Sequence, residues 1–205
     1  MFGFLKSDSD SRPAVELVGA QVYLRSPQAS DWRAWAELRA ASRAFLEPWE
    51  PRWAEGALTR AAFRRRLRRQ ARESRDDAGY SFFILRRDDD ALVGGINLSN
   101  VQRGVAMSCS ISYWIGMEYA RQGLMGDALE ALLPFVFKKL SLHRLEAACL
   151  ATNLASEGLL RNLGFQREGY AQDYLLFALL ADDFSRNVQL GWYKNLIKYL
   201  CQMRV

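Results

Sequence analysis

The chain has 205 residues, half of them hydrophobic, and a net charge of +5; that length buries a full core and suits one domain better than two. Its longest apolar runs, such as Tyr174 to Ala181, are too short to span a bilayer, and Met1 to Pro13 lacks the apolar core of a secretory signal, which points to a cytoplasmic protein with no membrane association. Cys109, Cys149 and Cys201 are odd in number and widely spaced, and His143 is the only histidine, which argues against a disulfide framework and against a metal centre.

After a flexible, polar tail over residues 1–13, the single domain expected over residues 14–205 opens with a short strand at Gln21 to Arg25. Ser26 to Asp31 supply turn and capping residues for a helix through about Arg43. Pro48 and Pro51 prevent its continuation, so Phe45 to Trp53 reads as an aromatic elbow. Phe45, Trp49 and Trp53 in such a loop either pack over a sheet or form one wall of a binding pocket. Next, Arg60, Arg64, Arg65, Arg66, Arg68, Arg69, Arg72 and Arg75 crowd a segment whose only acid is Glu73. Phe63, Leu67 and Ala71 recur there at helical spacing, predicting a helix with one narrow packing stripe. Its outer arginines form either a solvated face or an RNA contact through Arg60, Arg64, Arg65, Arg68, Arg69 and Arg72.

Tyr80 to Arg87 and Ala91 to Asn100 read as a hairpin around Asp88 to Asp90, and Ala106 to Ile115 as the third strand of the meander. The stretch Ser112 to Leu129, SYWIGMEYARQGLMGDAL, then runs from an apolar strand through a polar loop into a Gly-punctuated helix start. First-turn amides lack intrahelical acceptors and sit at the positive end of the helix dipole, so they favour an anion. Gly123 and Gly126 permit close approach of backbone and ligand, although the same glycines also suit a plain tight turn. This helix is expected from about Gln122 to Lys139, kinked or broken at Pro134.

Arg144 to Ala151 is strand-like, Ala155 to Leu163 a short helix ended by Gly164, and Phe165 to Gln172 a strand. A last strand near Val188 to Trp192 and an apolar helix over Tyr193 to Gln202 close the chain. Strand, 122–139 helix and 144–151 strand make a right-handed crossover, so the two strands run parallel with the helix start at their carboxyl ends. Ligands of α/β sheets favour that end. The predicted class is α/β.

Three segments taken together resemble the GNAT N-acetyltransferases, in the RimJ and RimL type that acetylates N-terminal residues of ribosomal proteins. They are YWIGMEYARQGLMGDAL (113–129), ATNLASEGLLRNLGF (151–165) and QREGYAQDYLL (166–176), the last most like the RimJ type, and the likeness spans about Gln21 to Trp192. The resemblance implies a GNAT fold, α+β in some schemes: one mixed, mostly antiparallel sheet with a central splayed parallel pair, flanked by helices. It implies acetyl-CoA as cosubstrate, no metal, and an acceptor that is the N-terminal alanine of a small-subunit ribosomal protein. A small amine or antibiotic as acceptor, or a ribosome- or RNA-binding assembly factor on the same fold, are the alternatives. Monomer and homodimer both fit. The family's loop pattern is Gln/Arg, two residues, Gly, one residue, Gly/Ala; here Gly123 fits, whereas Ala120 and Met125 depart from it at either end.

By the same resemblance, the pantetheine arm lies between the strand ending at Ile115 and that ending at Ala151, bonded to main chain near Ile115 and Met117. Amides of Gln122, Gly123, Leu124, Met125 and Gly126 would hold the pyrophosphate. Asn153 would bond the pantetheine amides, and Ser156 would protonate the departing thiolate. Without the resemblance these two fit a strand-end turn and a helix cap. Transfer is expected to be direct, with backbone N–H groups at the splayed strand end stabilising the charge on the carbonyl oxygen. His143, just before a strand, reads as a packing or turn residue. An α-amine has a pKa near 8, against about 10.4 for lysine, so a weak base suffices; Asp173 matches a carboxylate proposed for that role in similar enzymes, with a plain turn residue as the alternative. Phe45, Trp49 and Trp53 would wall the acceptor site, with Tyr170 near the reacting centre.

Overall fold

In β3 (Tyr80–Arg86), Phe82 and Ile84 enter one hydrophobic core while Phe83 and Leu85 enter another, so this strand is buried on both faces. The computed structural model describes residues 16–189, and those residues form an eight-stranded sheet between two helical layers. β1 (Leu17–Val18) and β2 (Val22–Arg25) precede β3, followed by β4 (Leu92–Gln102), β5 (Ser108–Ile115), β6 (Arg144–Leu150), β7 (Gln166–Ala171) and β8 (Tyr174–Leu180). The spatial order is β1-β2-β3-β4-β5-β6-β8-β7, antiparallel throughout except for the parallel pair β5–β6. The expected meander and parallel crossover are therefore present.

One layer holds α1 (Trp32–Ala41), the short α2 (Arg43–Leu46) and α3 (Arg60–Arg75), packed through Trp35, Leu38, Leu46 and Phe63 onto Phe83, Leu85 and Trp114. The other holds α4 (Leu124–Pro134) and α5 (Leu154–Asn162), whose leucines meet Val22, Ile84, Ile96 and Ile111. The break expected at Pro134 takes the form of a wide turn: Phe135–Lys139 continues as π-helix, the geometry that absorbs a residue lacking an N–H. The Asp127 carboxylate, in the first turn of α4, accepts the N–H groups of Ala20 (2.8 Å), Gln21 (2.7 Å) and Val22 (2.9 Å). Gly19 leaves room for it, since a Cβ there would stand 2.6 Å from Asp127 Oδ2. The start of α4 is thus fastened to the far edge of the sheet.

Three expectations need correction, and one strand had no counterpart in the sequence reading. Phe45 and Trp49 lie in helical turns, α2 and a 3-10 turn over Glu47–Trp49, because Pro48 is compatible with the first turn of a helix. Ala71 is exposed; Arg66 and Gln70 join Phe63 and Leu67 on the inner face of α3. Val188 belongs to α6 (Ala181–Gln189) rather than to a strand. Tyr174–Leu180, an uninterrupted apolar run with no period to read, is the strand β8, inserted between β6 and β7 with Tyr174 and Leu176 exposed. The tail over residues 1–13, the remainder of the expected last strand, the 193–202 helix and Cys201 lie outside the described residues. No helix among the described residues is long and apolar enough to cross a membrane.

Candidate active site

The insertion of β8 shapes the site. β6 is paired to β8 along its whole length, from Arg144↔Leu180 to Leu150↔Tyr174, while its pairing to β5 stops at Ile111↔Ala147. Beyond that point β5 continues to Ile115 without β6, and the sheet opens. Gly116 N–H donates to Val93 carbonyl at 2.8 Å, and antiparallel alternation then turns the main-chain groups of Tyr113 and Ile115 away from β4, toward the gap. Main-chain donors and acceptors therefore line one wall.

At the mouth of the gap, Arg121 (φ 62°) and Gly123 (φ 79°) adopt left-handed backbone and swing the chain into α4. The first intrahelical bond runs from Asp127 N–H to Gly123 carbonyl, leaving the amides of Leu124, Met125 and Gly126 as the open first turn. Of the residues expected beside them, Gln122 turns its side chain back onto the Glu118 carbonyl at 2.7 Å, and Met117 N–H donates to the buried Ser42 hydroxyl at 2.9 Å. Ser42 thus occupies an amide that the sequence reading had assigned to a ligand. Three consecutive amides at a helix N-terminus suit a phosphate, and the parallel-strand gap suits an extended amide-bearing chain.

On the α5 side, Asn153 caps the helix, its Oδ1 accepting Ser156 N–H at 3.1 Å. Ser156 is consequently not the cap, and its hydroxyl is free to point elsewhere. It lies 2.6 Å from Tyr113 Oη. Sequence reading missed Tyr113; the only signal available was its position, two residues before Ile115 on the same strand face. Burial pushes the Tyr113 phenol up to about 12, against a smaller opposing effect of the Ser156 hydrogen bond. Burial likewise raises the Cys149 thiol, which disfavours a thiolate nucleophile there. The site therefore presents a neutral phenol–hydroxyl pair, with the proton available to whatever lies beside Ser156.

The other expected residues are dispersed. Asp173 is an exposed residue of the two-residue turn between β7 and β8; its carbonyl accepts Ala151 N–H at 2.9 Å, placing the turn at the carboxyl end of β6. Tyr170 is exposed on the edge strand β7, separated from the gap by β8 and β6. Phe45 and Trp53 are partly buried and pack against the same core cluster, Trp53 with the Arg39 guanidinium at 4.3 Å from its ring, whereas Trp49 is exposed. His143 is an exposed residue preceding β6, held by its main chain to Met107. Arg60, Arg64, Arg65, Arg68, Arg69 and Arg72 line the outer face of α3, Arg69 within 3.5 Å of Glu73.

A splayed parallel pair, open helix-start amides and an adjoining proton-bearing pair define the class of acyl-CoA-dependent transferases. The acetyltransferase (GNAT) domain family matches residues 21–166, and the chain belongs to that family, in its RimJ and RimL branch. It is 33% identical over 177 residues to the Escherichia coli [ribosomal protein uS5]-alanine N-acetyltransferase, covering 86% of this chain and 89% of that one. The structure of Mycobacterium smegmatis RimJ in complex with CoA-disulfide superposes with a TM-score of 0.77 at 28% identity, covering 86% of this chain and 92% of that chain. A Vibrio fischeri ribosomal-protein-S5-alanine acetyltransferase gives 0.77 at 25% identity, covering 83% and 98%.

The raised Tyr113 phenol carries a pH signature. Its folded value, about 12, exceeds the ordinary 10, so its contribution to stability is intact below pH 10 and is lost as pH climbs toward 12, at about 1.4 kcal/mol per unit. Denaturant titrations at pH 8 and 11 are expected to show a smaller alkaline loss in Tyr113→Phe than in the unmodified protein. Equal losses would remove Tyr113 from this account.

Proposed function

We propose that the protein transfers acetyl from acetyl-CoA to the N-terminal α-amino group of a ribosomal protein, with an N-terminal alanine of a small-subunit protein as acceptor. The observation that carries this reading is the gap between β5 and β6, with open amides at its mouth and the Tyr113–Ser156 pair on its wall. Relatives named for uS5 alanine at 33% and 25% identity support the acceptor. Bound in the gap, acetyl-CoA supplies an activated thioester that a neutral amine attacks directly.

The chain's residues then have distinct tasks. Leu124, Met125 and Gly126 hold the pyrophosphate on their amides, with Gln122 and Gly123 shaping the loop. The main chain of Tyr113 and Ile115, with Asn153, holds the pantetheine arm in line. Ser156 gives its proton to the departing sulfur and draws on Tyr113, whose phenol stays protonated at neutral pH. Asp173, at the rim, takes the proton from the incoming ammonium through water. An α-amine near pKa 8 needs no stronger base, and activity should rise with pH toward that value and then level.

Mass spectrometry of ribosomal proteins from cells lacking this gene tests the acceptor. One newly unacetylated N-terminus, beginning with alanine on a small-subunit protein, is the expected result. If every N-terminus stayed unchanged while polyamines or aminoglycosides were acetylated in vitro, the small-amine reading would replace it.

A further inference from the structure

On the sheet face opposite α4, a cavity of about 250 Å³ is lined by Arg39, Arg52, Arg66, Arg69, Trp35 and Trp53, with small apolar residues between them. No acid is among the described residues lining it. Three donors around it are buried and have no acceptor: Arg39 Nε, Arg66 Nε and Trp35 Nε1. Glu50, the nearby carboxylate, is already engaged, accepting Arg39 Nη1 at 2.7 Å, Arg39 Nη2 at 2.5 Å and Trp53 Nε1 at 2.9 Å. Glu73 is turned to Arg69. Burial lowers the Arg66 guanidinium, with Arg39 and Arg69 adding like-charge repulsion that Glu50 and Glu73 only partly relieve. Guanidinium groups crowded this closely, with no acid beside them on the cavity wall, favour an anion among them.

We propose that this cavity binds a carboxylate side chain of the acceptor polypeptide, an aspartate or glutamate a few residues beyond the amine to be acetylated. The inference rests on the acceptor reading given above. Location and chemistry support it. The Arg39 guanidinium lies 4.3 Å from the Trp53 ring at the cavity and 4.8 Å from the Trp114 ring, which neighbours Ile115 at the gap. Arg39 thus joins the cavity to β5, the strand whose end lines the gap. Glu50 already shows how a carboxylate is taken here, by the guanidinium fork together with an indole N–H. A cavity of this size has room for a carboxylate side chain, and Arg69, exposed at its rim, adds to the positive charge.

Acceptor peptides that differ only by glutamate or glutamine at the third to fifth residue test this. The glutamate peptide is expected to show a KM about tenfold lower at equal kcat, and Arg66→Met to erase the difference by raising the KM of the glutamate peptide alone. Equal KM values in the unmodified protein, or a ratio that survives Arg66→Met, overturn the proposal. Should Arg66→Met not fold, Arg52→Gln combined with Arg69→Gln must narrow the same ratio; an unchanged ratio counts against it. Loss of RNA-oligonucleotide binding in Arg66→Met with the peptide ratio intact would assign the cavity to a phosphate instead. Tryptophan fluorescence titrated with N-terminally acetylated versions of both peptides reads the cavity without any acetyl transfer. Saturable quenching by the glutamate peptide only is expected, and its absence sinks the cavity whatever the acceptor amine proves to be.

Discussion

Replacing Ser156 by alanine is expected to lower kcat about 100-fold while leaving the KM for acetyl-CoA within about threefold, the pattern of a group that acts on the departing sulfur rather than on binding. The hydroxyl is well placed for this because Asn153, and not Ser156, caps α5, and because Tyr113 Oη stands 2.6 Å behind it. The substitution also leaves the partly buried phenol without its partner, at a cost of about 1 kcal/mol. Adding Tyr113→Phe to Ser156→Ala should recover that stability without recovering kcat. A kcat within threefold of the unmodified protein in Ser156→Ala would reduce the pair to packing.

The second large effect concerns a residue with no chemistry. A Cβ on Gly94 would lie 2.4 Å from the Trp114 carbonyl oxygen and 3.2 Å from Ile115 Cα, both backbone atoms of β5. Neither can yield without opening the β4–β5 pair at the strand end that lines the gap. Gly94→Ala is therefore expected to destabilise by about 3 kcal/mol, the upper end of overpacking, and to raise the KM for acetyl-CoA in the fraction that folds. Gly158→Ala is the matched control. Nothing stands within 4 Å of a Cβ there, and the residue lies inside α5, so alanine should stabilise by about 0.5–1 kcal/mol. Denaturant midpoints of the two variants decide the point; a Gly94→Ala midpoint equal to that of the unmodified protein would mean that β5 is not held as described.

The parts of this fold that obey a local rule were legible in the sequence. Apolar runs punctuated by turn residues located β3, β4 and β5, helical spacing located α3, and glycines marked the start of α4 and the end of α5. The parallel crossover followed from handedness alone. β8 escaped because Tyr174–Leu180 is apolar at every position and offers no period to read, and with it went the reason the sheet opens, since β8 holds β6 along its full length while β5 departs. In the site, Asn153, Ser156 and the amides from Leu124 to Gly126 were named through the family resemblance, the glycines alone marking only an anion-friendly helix start. Tyr113 and Ser42 did not, because a hydroxyl that meets its partner 43 or 75 positions away leaves no local pattern. Arg66 was hidden for the opposite reason: among so many outward arginines, nothing in the sequence marks the one that turns in.

The central claim, that acetyl is delivered from acetyl-CoA to a protein N-terminus, is tested most directly by incubating the purified protein with acetyl-CoA and a panel of peptides with free or blocked N-termini. Lysine-only peptides and small amines serve as controls, and mass spectrometry locates the acetyl group. The account predicts acetylation of the free α-amine, with alanine-first peptides preferred and blocked or lysine-only peptides untouched. Acetyl found on lysine or on the small amines, with every α-amine left free, would contradict it.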